Sequence, residues 1–334
     1  MARPRILIAP DSFKGTFNAV AVAAAIGRGV QTAGMQADLC PVADGGEGTM
    51  EVVLASLGGR VVQAETHDPI GRQLVAPFAL LGQDDGRALV ETAAASGLAL
   101  LASDELDPWR ASSYGTGELI RAAVTAGARE VMLAVGGSAS VDGGLGALEA
   151  IAERGGLGGT RIVVLADVHT TWECCAEIYG PQKGAGPEMV RRLAARLDAY
   201  AAQLPRDPRG IPMSGAAGGL SGGLWAGAGA ELRAGAPYVL DALGFDARLR
   251  SAGAVVVGEG RIDGQSVMGK IVGEIAARAA RAGVPLHAIV GRSRIDDQAA
   301  ARIGLRSVTE ATTLTELERA GEQLARELTG DQPG

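Results

Sequence analysis

Apolar and polar stretches alternate at both ends of the chain in the order strand, loop, helix, strand, loop. Short apolar runs predict strands at 5–10, 37–42, 254–257 and 286–290. Apolar positions spaced as on one helix face predict helices at about 18–33, 49–57, 271–282 and 314–328. Alternation of this kind is typical of βαβ units, which assemble into a parallel sheet.

The middle of the chain is less regular. It predicts strands at 61–63, 73–80, 88–91, 130–135 and 162–166 and helices up to about 126 and over 187–204. Because both ends share one pattern, we predict a discontinuous α/β domain with a second α/β domain inserted into it. The first domain is expected to comprise residues 1–62 and 246–334, and the inserted domain residues 63–245.

Composition narrows the classes of protein that fit. The chain has 334 residues, 47% hydrophobic residues and a net charge of −7. An acidic surface disfavours nucleic acid and anionic membranes as partners, and no apolar run is long enough to span a bilayer. Cys40, Cys174 and Cys175 have neither metal-ligand spacing nor a disulfide framework. We expect a cytoplasmic protein that binds a small molecule, with homo-oligomer formation left open.

Two glycine-rich turns stand at the start of predicted helices. Asp-Gly-Gly-Glu-Gly occupies 44–48, and Asp-Gly-Gly-Leu-Gly occupies 142–146. Backbone N–H groups at a helix N-terminus attract anions, so these turns are candidates for phosphate binding. The alternative is that Asp and Gly serve only as helix-capping and turn residues.

Acidic residues follow several predicted strands, and lysines occupy glycine-rich loops. The acidic residues are Asp11, Asp44, Asp142, Asp167, Glu259 and Asp263, and the lysines are Lys14, Lys183 and Lys270. In a parallel sheet, ligands bind at the carboxyl ends of the strands. Phosphoryl transfer needs carboxylates for Mg²⁺, cations for the phosphate and a base for the hydroxyl. The set as a whole therefore indicates phosphoryl transfer, although helix capping would explain any one Asp.

Other catalytic motifs are incomplete. In the segment 258–264 the third glycine comes one residue late for a dinucleotide fingerprint, which disfavours a nicotinamide dehydrogenase. The segment 264–271 fits a P-loop up to Lys270, but Ile271 stands where Ser or Thr should bind Mg²⁺. No Gly-x-Ser-x-Gly elbow of a serine hydrolase is present.

The loops, taken in order, carry specific sequences along the whole chain. They are APDSFK at 9–14, PVADGGEGT at 41–49, ETAAASGL at 91–98, SYGTGELI at 113–120, GGSASVDGG at 136–144, GPQKGA at 180–185, GAAGGL at 215–220 and GEGRID at 258–263. Gln265, Ser266, Gly269 and Lys270 follow the last of these. This order resembles the type I glycerate kinase family.

The resemblance implies an ATP-dependent kinase that uses Mg²⁺. It implies phosphorylation of glycerate, usually at the 2-hydroxyl to give 2-phosphoglycerate. It also implies two α/β domains, one flavodoxin-like and the other inserted into it, with the active site in the cleft between them.

On this hypothesis, each candidate residue has an expected role. Asp263 or Asp167 would orient or deprotonate the substrate hydroxyl, and Lys14 and Lys183 would neutralise phosphate or carboxylate oxygens. Asp44, Glu47 and Asp142 are the candidates for Mg²⁺ binding or for positioning groups around it. The expected substrate and phosphate ligands are Asp11, Ser12, Gly45, Gly46, Gly48, Ser96, Ser138, Gly143, Gly144, Gly258, Gly260, Gln265, Ser266 and Lys270.

Two segments depart from the family pattern. A short glycine-rich stretch at 155–159 replaces a longer segment, and the loop 169–175 is shorter and differs in sequence. Ala166 also replaces the usual cysteine. These changes leave open a kinase for another small 2-hydroxy acid, such as tartronate, lactate or a longer sugar acid. A ligand-binding homologue without catalysis is the third hypothesis.

Overall fold

The computed structural model describes residues 5–82, 86–263 and 271–330. The chain separates into two compact units. Unit 1 comprises Met1–Asp44, Glu51–Ser56 and Ala236–Gly334, and unit 2 comprises Gly45–Met50 and Leu57–Gly235. The α/β class and the two-domain organisation are confirmed. The predicted division after residue 62 falls inside a strand, Gly59–His67.

Within the described residues, thirteen strands and thirteen α-helices form the two units. The strands are β1 (Arg5–Pro10), β2 (Gln36–Leu39), β3 (Gly59–His67), β4 (Gln73–Leu81), β5 (Arg87–Glu91), β6 (Glu130–Ala134), β7 (Arg161–Ala166), β8 (Glu231–Ala234), β9 (Ala252–Gly258), β10 (Arg261–Ile262), β11 (Leu286–Val290), β12 (Arg292–Ser293) and β13 (Leu305–Glu310). The helices are α1 (Ala19–Thr32), α2 (Thr49–Leu57), α3 (Ala93–Ser96), α4 (Tyr114–Thr125), α5 (Leu145–Glu153), α6 (Cys175–Tyr179), α7 (Pro187–Ala201), α8 (Leu220–Ala228), α9 (Gly235–Ala242), α10 (Phe245–Arg250), α11 (Ile271–Ala282), α12 (Asp297–Arg302) and α13 (Leu314–Thr329). Short 3₁₀ turns occur at Leu98–Leu100, Ser103–Glu105, Trp172–Cys174 and Pro181–Lys183.

Unit 1 contains a five-stranded sheet in which every neighbouring pair is parallel. Its spatial order is β13-β11-β9-β1-β2. When the five strands of this sheet are numbered along the chain and read from the β2 edge, their order is 2-1-3-4-5, which is the flavodoxin-like arrangement. The strand order reverses between β1 and β9, so this is the point at which such folds bind ligands.

Buried aliphatic strands and amphipathic helices explain the core of unit 1. Strand β1 is buried from Ile6 onward because it lies between two other strands. Helix α1 begins after Asn18, whose side-chain oxygen accepts a hydrogen bond from the N–H of Ala21 at 2.7 Å. Its apolar face packs against the sheet and against α13, burying residues such as Ile26 and Leu317.

Unit 2 contains a six-stranded mixed sheet in the order β3-β4-β5-β6-β7-β8. Strands β3, β4 and β5 form an antiparallel meander, and β5 to β8 run parallel. Parallel strands buried on both faces read as continuous apolar runs, as in β6 and β7. The parallel half therefore places the loops after β5, β6 and β7 at the same edge.

Several elements were not predicted from the sequence. Strand β13 alternates too weakly in polarity to stand out, and β8 has only four residues. The pattern of the glycine-dense segment 214–223 predicts no helix, yet α8 begins at Leu220. Its glycines allow close packing, because a Cβ on Gly223 would lie 2.0 Å from the carbonyl oxygen of Gly143. Tertiary contact here outweighs the low helix propensity of glycine.

None of the helices within the described residues is both long and apolar enough to cross a membrane.

Candidate functional site

A cavity of about 460 Å³ lies in unit 1 at the carboxyl ends of β1, β9 and β11. It therefore occupies the point at which the strand order reverses. The cavity is lined by Asp11, Ser12, Phe13, Lys14, Thr16, Asp44, Glu259, Gly260, Arg261, Asp263, Ile271, Gly291, Arg292 and Thr312.

Backbone hydrogen bonds fix the loops that form the cavity wall. The N–H of Asp11 donates to the carbonyl of Gly258 at 2.8 Å, which ties the end of β1 to the end of β9. The N–H of Arg292 donates to the carbonyl of Gly260 at 3.0 Å, and β10 pairs with β12 beside this contact. The charged side chains of these loops are therefore held by a braced backbone.

The cavity combines carboxylates with cations. Burial and the neighbouring Asp44 carboxylate raise the pKa of Asp11 to about 7, although Lys14 acts in the opposite direction. The N–H of Ser12 donates to Asp11 Oδ1 at 2.6 Å. Arg261 forms an ion pair with Asp263 at 3.0 Å. A site with both signs of charge can hold a cation and an anionic ligand together.

The structure brings many of the predicted ligands of unit 1 together. The cavity wall includes the predicted Asp11, Ser12, Lys14, Asp44, Gly260 and Asp263. Gly258 ends β9 next to that wall. Gln265, Ser266 and Lys270 lie outside the described residues.

Sequence reasoning missed Arg261, Arg292 and Thr312 as site residues, and it named Glu259 only as a strand-end acid. Arg292 follows β11 after a single glycine, so the strand-end rule that selected Asp11 would also have found it. Thr312 follows β13, which the sequence pattern did not reveal.

Two glycine-rich segments of unit 2 meet each other. One is the turn 45–48, and the other is residues 136–140 after β6, which we term the glycine loop. A Cβ on Gly136 would lie 2.9 Å from the Cα of Gly46 and 3.1 Å from the N of Glu47. Only glycine permits this approach at position 136, so the two segments form one surface of backbone.

The turn 45–48 and the residue pair after it also contact other segments of unit 2. A Cβ on Gly45 would lie 2.8 Å from the Cα of Gly235 and 3.0 Å from the Cβ of Leu165. The Glu91 carboxylate, at the end of β5, accepts a hydrogen bond from the N–H of Met50 at 2.8 Å. Glu91 was not predicted as a site residue, although it also ends a strand at this edge.

Lys183 is buried beneath the glycine loop. Its side chain is 2% exposed, and its Nζ donates to the carbonyl of Ser140 at 2.6 Å and to Ser138 Oγ at 3.3 Å. Burial lowers the pKa of Lys183 to about 8. The structure therefore brings the predicted Ser138 and Lys183 together.

Asp142 organises the start of α5. Its Oδ2 accepts hydrogen bonds from the N–H and the hydroxyl of Ser113 at 2.7 and 2.8 Å. Its Oδ1 accepts from the N–H of Gly144 at 3.0 Å and from the hydroxyl of Ser140 at 3.2 Å. The N–H of Gly143 donates to the carbonyl of Gly218 at 3.0 Å. The N–H groups of Gly143 and Gly144, predicted as phosphate ligands, thus have acceptors within the protein.

The remaining predicted residues of unit 2 lie nearby in the sheet order. Ser96 is fully buried, and its hydroxyl accepts a hydrogen bond from Thr116 Oγ1 at 2.8 Å. Asp167 follows β7 directly and is partly exposed, as are Gly46 and Gly48, while Glu47 is exposed.

Within the described ranges, no group of three or more His, Cys, Asp and Glu side chains has the arrangement of a metal site. Magnesium in phosphoryl-transfer enzymes is held by one or two carboxylates together with substrate phosphates and water. Asp11 and Asp44 fit such a partial ligand set, because burial and then the like charge of Asp44 raise the pKa of Asp11, and a cation would relieve both effects. Asp142 fits it less well, because both of its carboxylate oxygens already accept hydrogen bonds.

The chain is similar to known proteins over almost its whole length. A model of the glycerate kinase family matches residues 6–156 and 154–331. The chain is 38% identical to a glycerate kinase of Haemophilus influenzae, and the similarity covers 87% of each protein. It is 35% identical to a glycerate 2-kinase of Escherichia coli K12, over 88% of this chain and 86% of that protein.

A crystal structure described as glycerate kinase 2 from Salmonella typhimurium LT2 has a similar fold. The TM-score is 0.86 at 34% identity, with 98% of this chain and 99% of that chain covered. The two segments of the family match join at 154–156, beside the short glycine-rich stretch 155–159. The resemblance inferred from the loops is confirmed.

Proposed function

The chain belongs to the glycerate kinase family, and we propose that it transfers a phosphoryl group from ATP to the 2-hydroxyl of D-glycerate. The match to the glycerate kinase family supports phosphorylation as the class of reaction. The name of the E. coli relative, glycerate 2-kinase, supports the choice of the 2-hydroxyl.

The charged lining of the cavity in unit 1 is the observation that best supports phosphoryl transfer. It places four carboxylates, Asp11, Asp44, Glu259 and Asp263, in one wall with Lys14, Arg261 and Arg292. Phosphoryl transfer depends on positioning and on charge stabilisation more than on covalent chemistry, and both signs of charge are needed for it.

We propose that Asp11 and Asp44 hold Mg²⁺ in this cavity. When bound, Mg²⁺ neutralises negative charge on phosphate oxygens. Of the predicted metal ligands, Asp44 lines this cavity, whereas Glu47 belongs to the exposed turn of unit 2 and Asp142 braces α5. Lys14 and Arg292 would bind anionic oxygens of the ligands directly, because both side chains are exposed in the wall.

Asp263 is our candidate for the group that orients or deprotonates the substrate hydroxyl. It lies in the same wall as Asp11 and Lys14, and its ion pair with Arg261 restricts its orientation. A carboxylate held in this way can accept a hydroxyl proton as the oxygen attacks phosphorus. Asp167 remains the alternative, and the two are separated by the variants described in the Discussion.

A coupled ADP-release assay with Mg-ATP and D-glycerate tests the proposal, with phosphorus NMR to locate the phosphate in the product. We expect turnover to 2-phosphoglycerate. A 3-phosphoglycerate product would overturn the proposed hydroxyl, and the absence of turnover in the folded protein would overturn the substrate.

The loop 169–175 supports a second candidate, a kinase for another small 2-hydroxy acid. This loop is anchored to the segment after α7: the N–H of Trp172 donates to Ser214 Oγ at 2.8 Å, and the N–H of Gly215 donates to the carbonyl of Thr170 at 3.0 Å. A panel of tartronate, lactate and longer sugar acids distinguishes the candidates. Turnover of any member also eliminates a non-catalytic homologue. A cytoplasmic location and catalysis in a cleft between the domains stay predictions.

A further inference from the structure

Lys183 is a cation to which a ligand has no direct access. It ends the 3₁₀ turn Pro181–Lys183, and its side chain is 2% exposed. Both acceptors of its ammonium group, Ser138 Oγ and the carbonyl of Ser140, belong to the glycine loop. The side chain is therefore oriented toward the loop from the interior of unit 2.

The charge of Lys183 has no close counter-ion. Among the residues that the structure describes, no carboxylate lies within 4.0 Å of its Nζ. The carboxylate of Asp142 favours the ammonium form less than burial opposes it, and the Cys175 thiol, whose pKa burial raises to about 12, is uncharged. A buried charge without an ion-pair partner destabilises a protein, so its presence needs another explanation.

The exposed part of the loop offers that explanation. Gly137 is exposed and Gly136 partly so, whereas Ser138, Ala139 and Ser140 are buried. Gly137 has a φ of 70°, which glycine adopts without strain. Because neither glycine has a side chain, an anion can approach the backbone here while Lys183 lies behind it. Interactions between charges are stronger across a protein interior than across water.

We propose that Lys183 is a positioning residue: it braces the glycine loop and provides positive charge for an anion bound at Gly136 and Gly137 without touching that anion. This assignment differs from the expectation that Lys183 contacts phosphate or carboxylate oxygens itself. It rests on the proposed function only in the identity of the anion, which is a phosphate of ATP or the carboxylate of glycerate.

Two variants separate charge from bracing. Lys183→Gln keeps a hydrogen-bond donor and removes the charge, whereas Lys183→Met removes both. Arg196→Met is the matched control, because Arg196 is a partly buried cation that donates to the carbonyl of Val141 at 2.7 Å, just beyond the glycine loop. Arg196→Met should lose some thermal stability, since it removes the hydrogen bond to the carbonyl of Val141.

The readouts are the KM for ATP, the KM for D-glycerate and kcat, with the Kd for ADP and for D-glycerate by calorimetry. We expect both Lys183 variants to raise the KM and Kd of one ligand about 10-fold or more, with a smaller change in kcat. The ligand affected identifies the anion. Arg196→Met should leave both KM values within about twofold of wild type, while lowering the melting temperature.

Failure of the inference differs from failure of the proposed function. Wild-type turnover of glycerate with unchanged KM values in Lys183→Gln would overturn the role of Lys183 and leave the function intact. Binding of ADP that depends on Lys183, in an enzyme inactive on glycerate, would support the role and overturn the function. If the wild type binds neither probe, the anion site itself is refuted. If Lys183→Met does not fold, Lys183→Gln decides by the same criterion.

Discussion

The two units handle charge in opposite ways. In the cavity of unit 1, the cationic side chains of Lys14, Arg261 and Arg292 are exposed, and the carboxylate of Asp11 is the group whose pKa burial shifts most. In unit 2, burial lowers the pKa of a cation, Lys183, and the surface above it is glycine backbone. Asp11 and Lys183 thus each hold a charge in an unfavourable environment, and the two charges have opposite signs.

This difference suggests how each unit recognises ligands. Exposed cations contact an anion directly. Dissolved salt weakens the attraction of exposed charges, with a screening length of about 10 Å at 0.1 M ionic strength. A buried cation is screened much less, and it acts through the backbone that it supports. A cation such as Mg²⁺ would relieve the repulsion of Asp11 by Asp44, and an anion would compensate Lys183. Four predictions test this contrast, from the largest expected effect to the smallest.

Asp263→Asn should have the largest effect if the chemistry lies in the cavity of unit 1. The amide cannot accept the hydroxyl proton, so we expect kcat to fall about 10²- to 10⁴-fold. The folded state should persist, because Asp263 is not part of the apolar core. Steady-state kinetics and circular dichroism measure the two effects.

Asp246→Asn is the control for that experiment. Asp246 pairs with Arg278, which also contacts Asp241 and Glu274, and it does not line the cavity. Its kcat should match wild type. If Asp167→Asn abolishes turnover and Asp263→Asn does not, the base lies in unit 2 and the contrast between the units must be reversed.

Gly136→Ala should have the next largest effect, because it forces apart the two glycine-rich segments of unit 2. The added Cβ would lie 2.9 Å from the Cα of Gly46, a backbone atom that cannot rotate away. We expect a loss of about 1–3 kcal/mol in the free energy of unfolding and at least a 10-fold lower kcat/KM. Urea unfolding and steady-state kinetics provide the two values.

Gly186→Ala is the matched control, since a Cβ there meets nothing within 4 Å and the φ of −73° suits any residue. It should leave kcat/KM unchanged and cost at most about 1 kcal/mol of unfolding free energy, because Gly186 is the N-cap of α7 and Ala is poorer there. If Gly136→Ala also leaves kcat/KM unchanged, the approach of the two segments has no functional role.

The contrast between the units could be predicted only in part from the sequence. Apolar runs located β1, β9 and β11, and the strand-end rule then placed Asp11 and Asp263 correctly at one edge of a sheet. The same patterns could not show that Lys183 is buried, because a lysine in a glycine-rich loop usually lies at the surface. Nor could spacing show that the N–H groups of Gly143 and Gly144 donate within the protein. Contacts between segments distant in sequence decide both points.

Lys14→Gln should have a smaller effect that depends on salt. Because Lys14 is exposed in the cavity wall, removal of its charge should raise KM for one anionic substrate about 3- to 10-fold at low ionic strength. The difference from wild type should shrink as KCl is raised to 0.5 M. The effect of Lys183→Gln should persist over the same range. Equal salt dependence in the two variants would remove the distinction between exposed and buried cations.

The pH dependence of stability should show the smallest effect, and it should have opposite signs in the two units. The pKa of Asp11 is raised from 3.8 to about 7. Between these two pH values, the folded protein therefore keeps a proton on Asp11 that the unfolded protein has lost. Its contribution to stability is therefore lost as pH rises through 7. The pKa of Lys183 is lowered from 10.5 to about 8, so stability is regained as pH rises from about 8 toward 10.5.

The measurement is the free energy of unfolding of the ligand-free protein in EDTA at pH 5, 7.5 and 9.5. Relative to Asp11→Asn, the wild type should become less stable between pH 5 and 7.5. Relative to Lys183→Met, it should become more stable between pH 7.5 and 9.5. One unit of pKa shift corresponds to about 1.4 kcal/mol, so each change is expected to be at most a few kcal/mol.

Mg²⁺ should abolish the first change in stability and leave the second intact, because a cation stabilises the charged form of Asp11 and does not stabilise the charge of Lys183. If Mg²⁺ leaves the first change untouched, Asp11 and Asp44 do not hold the metal, and the cavity of unit 1 then lacks the preference for a cation on which the contrast depends.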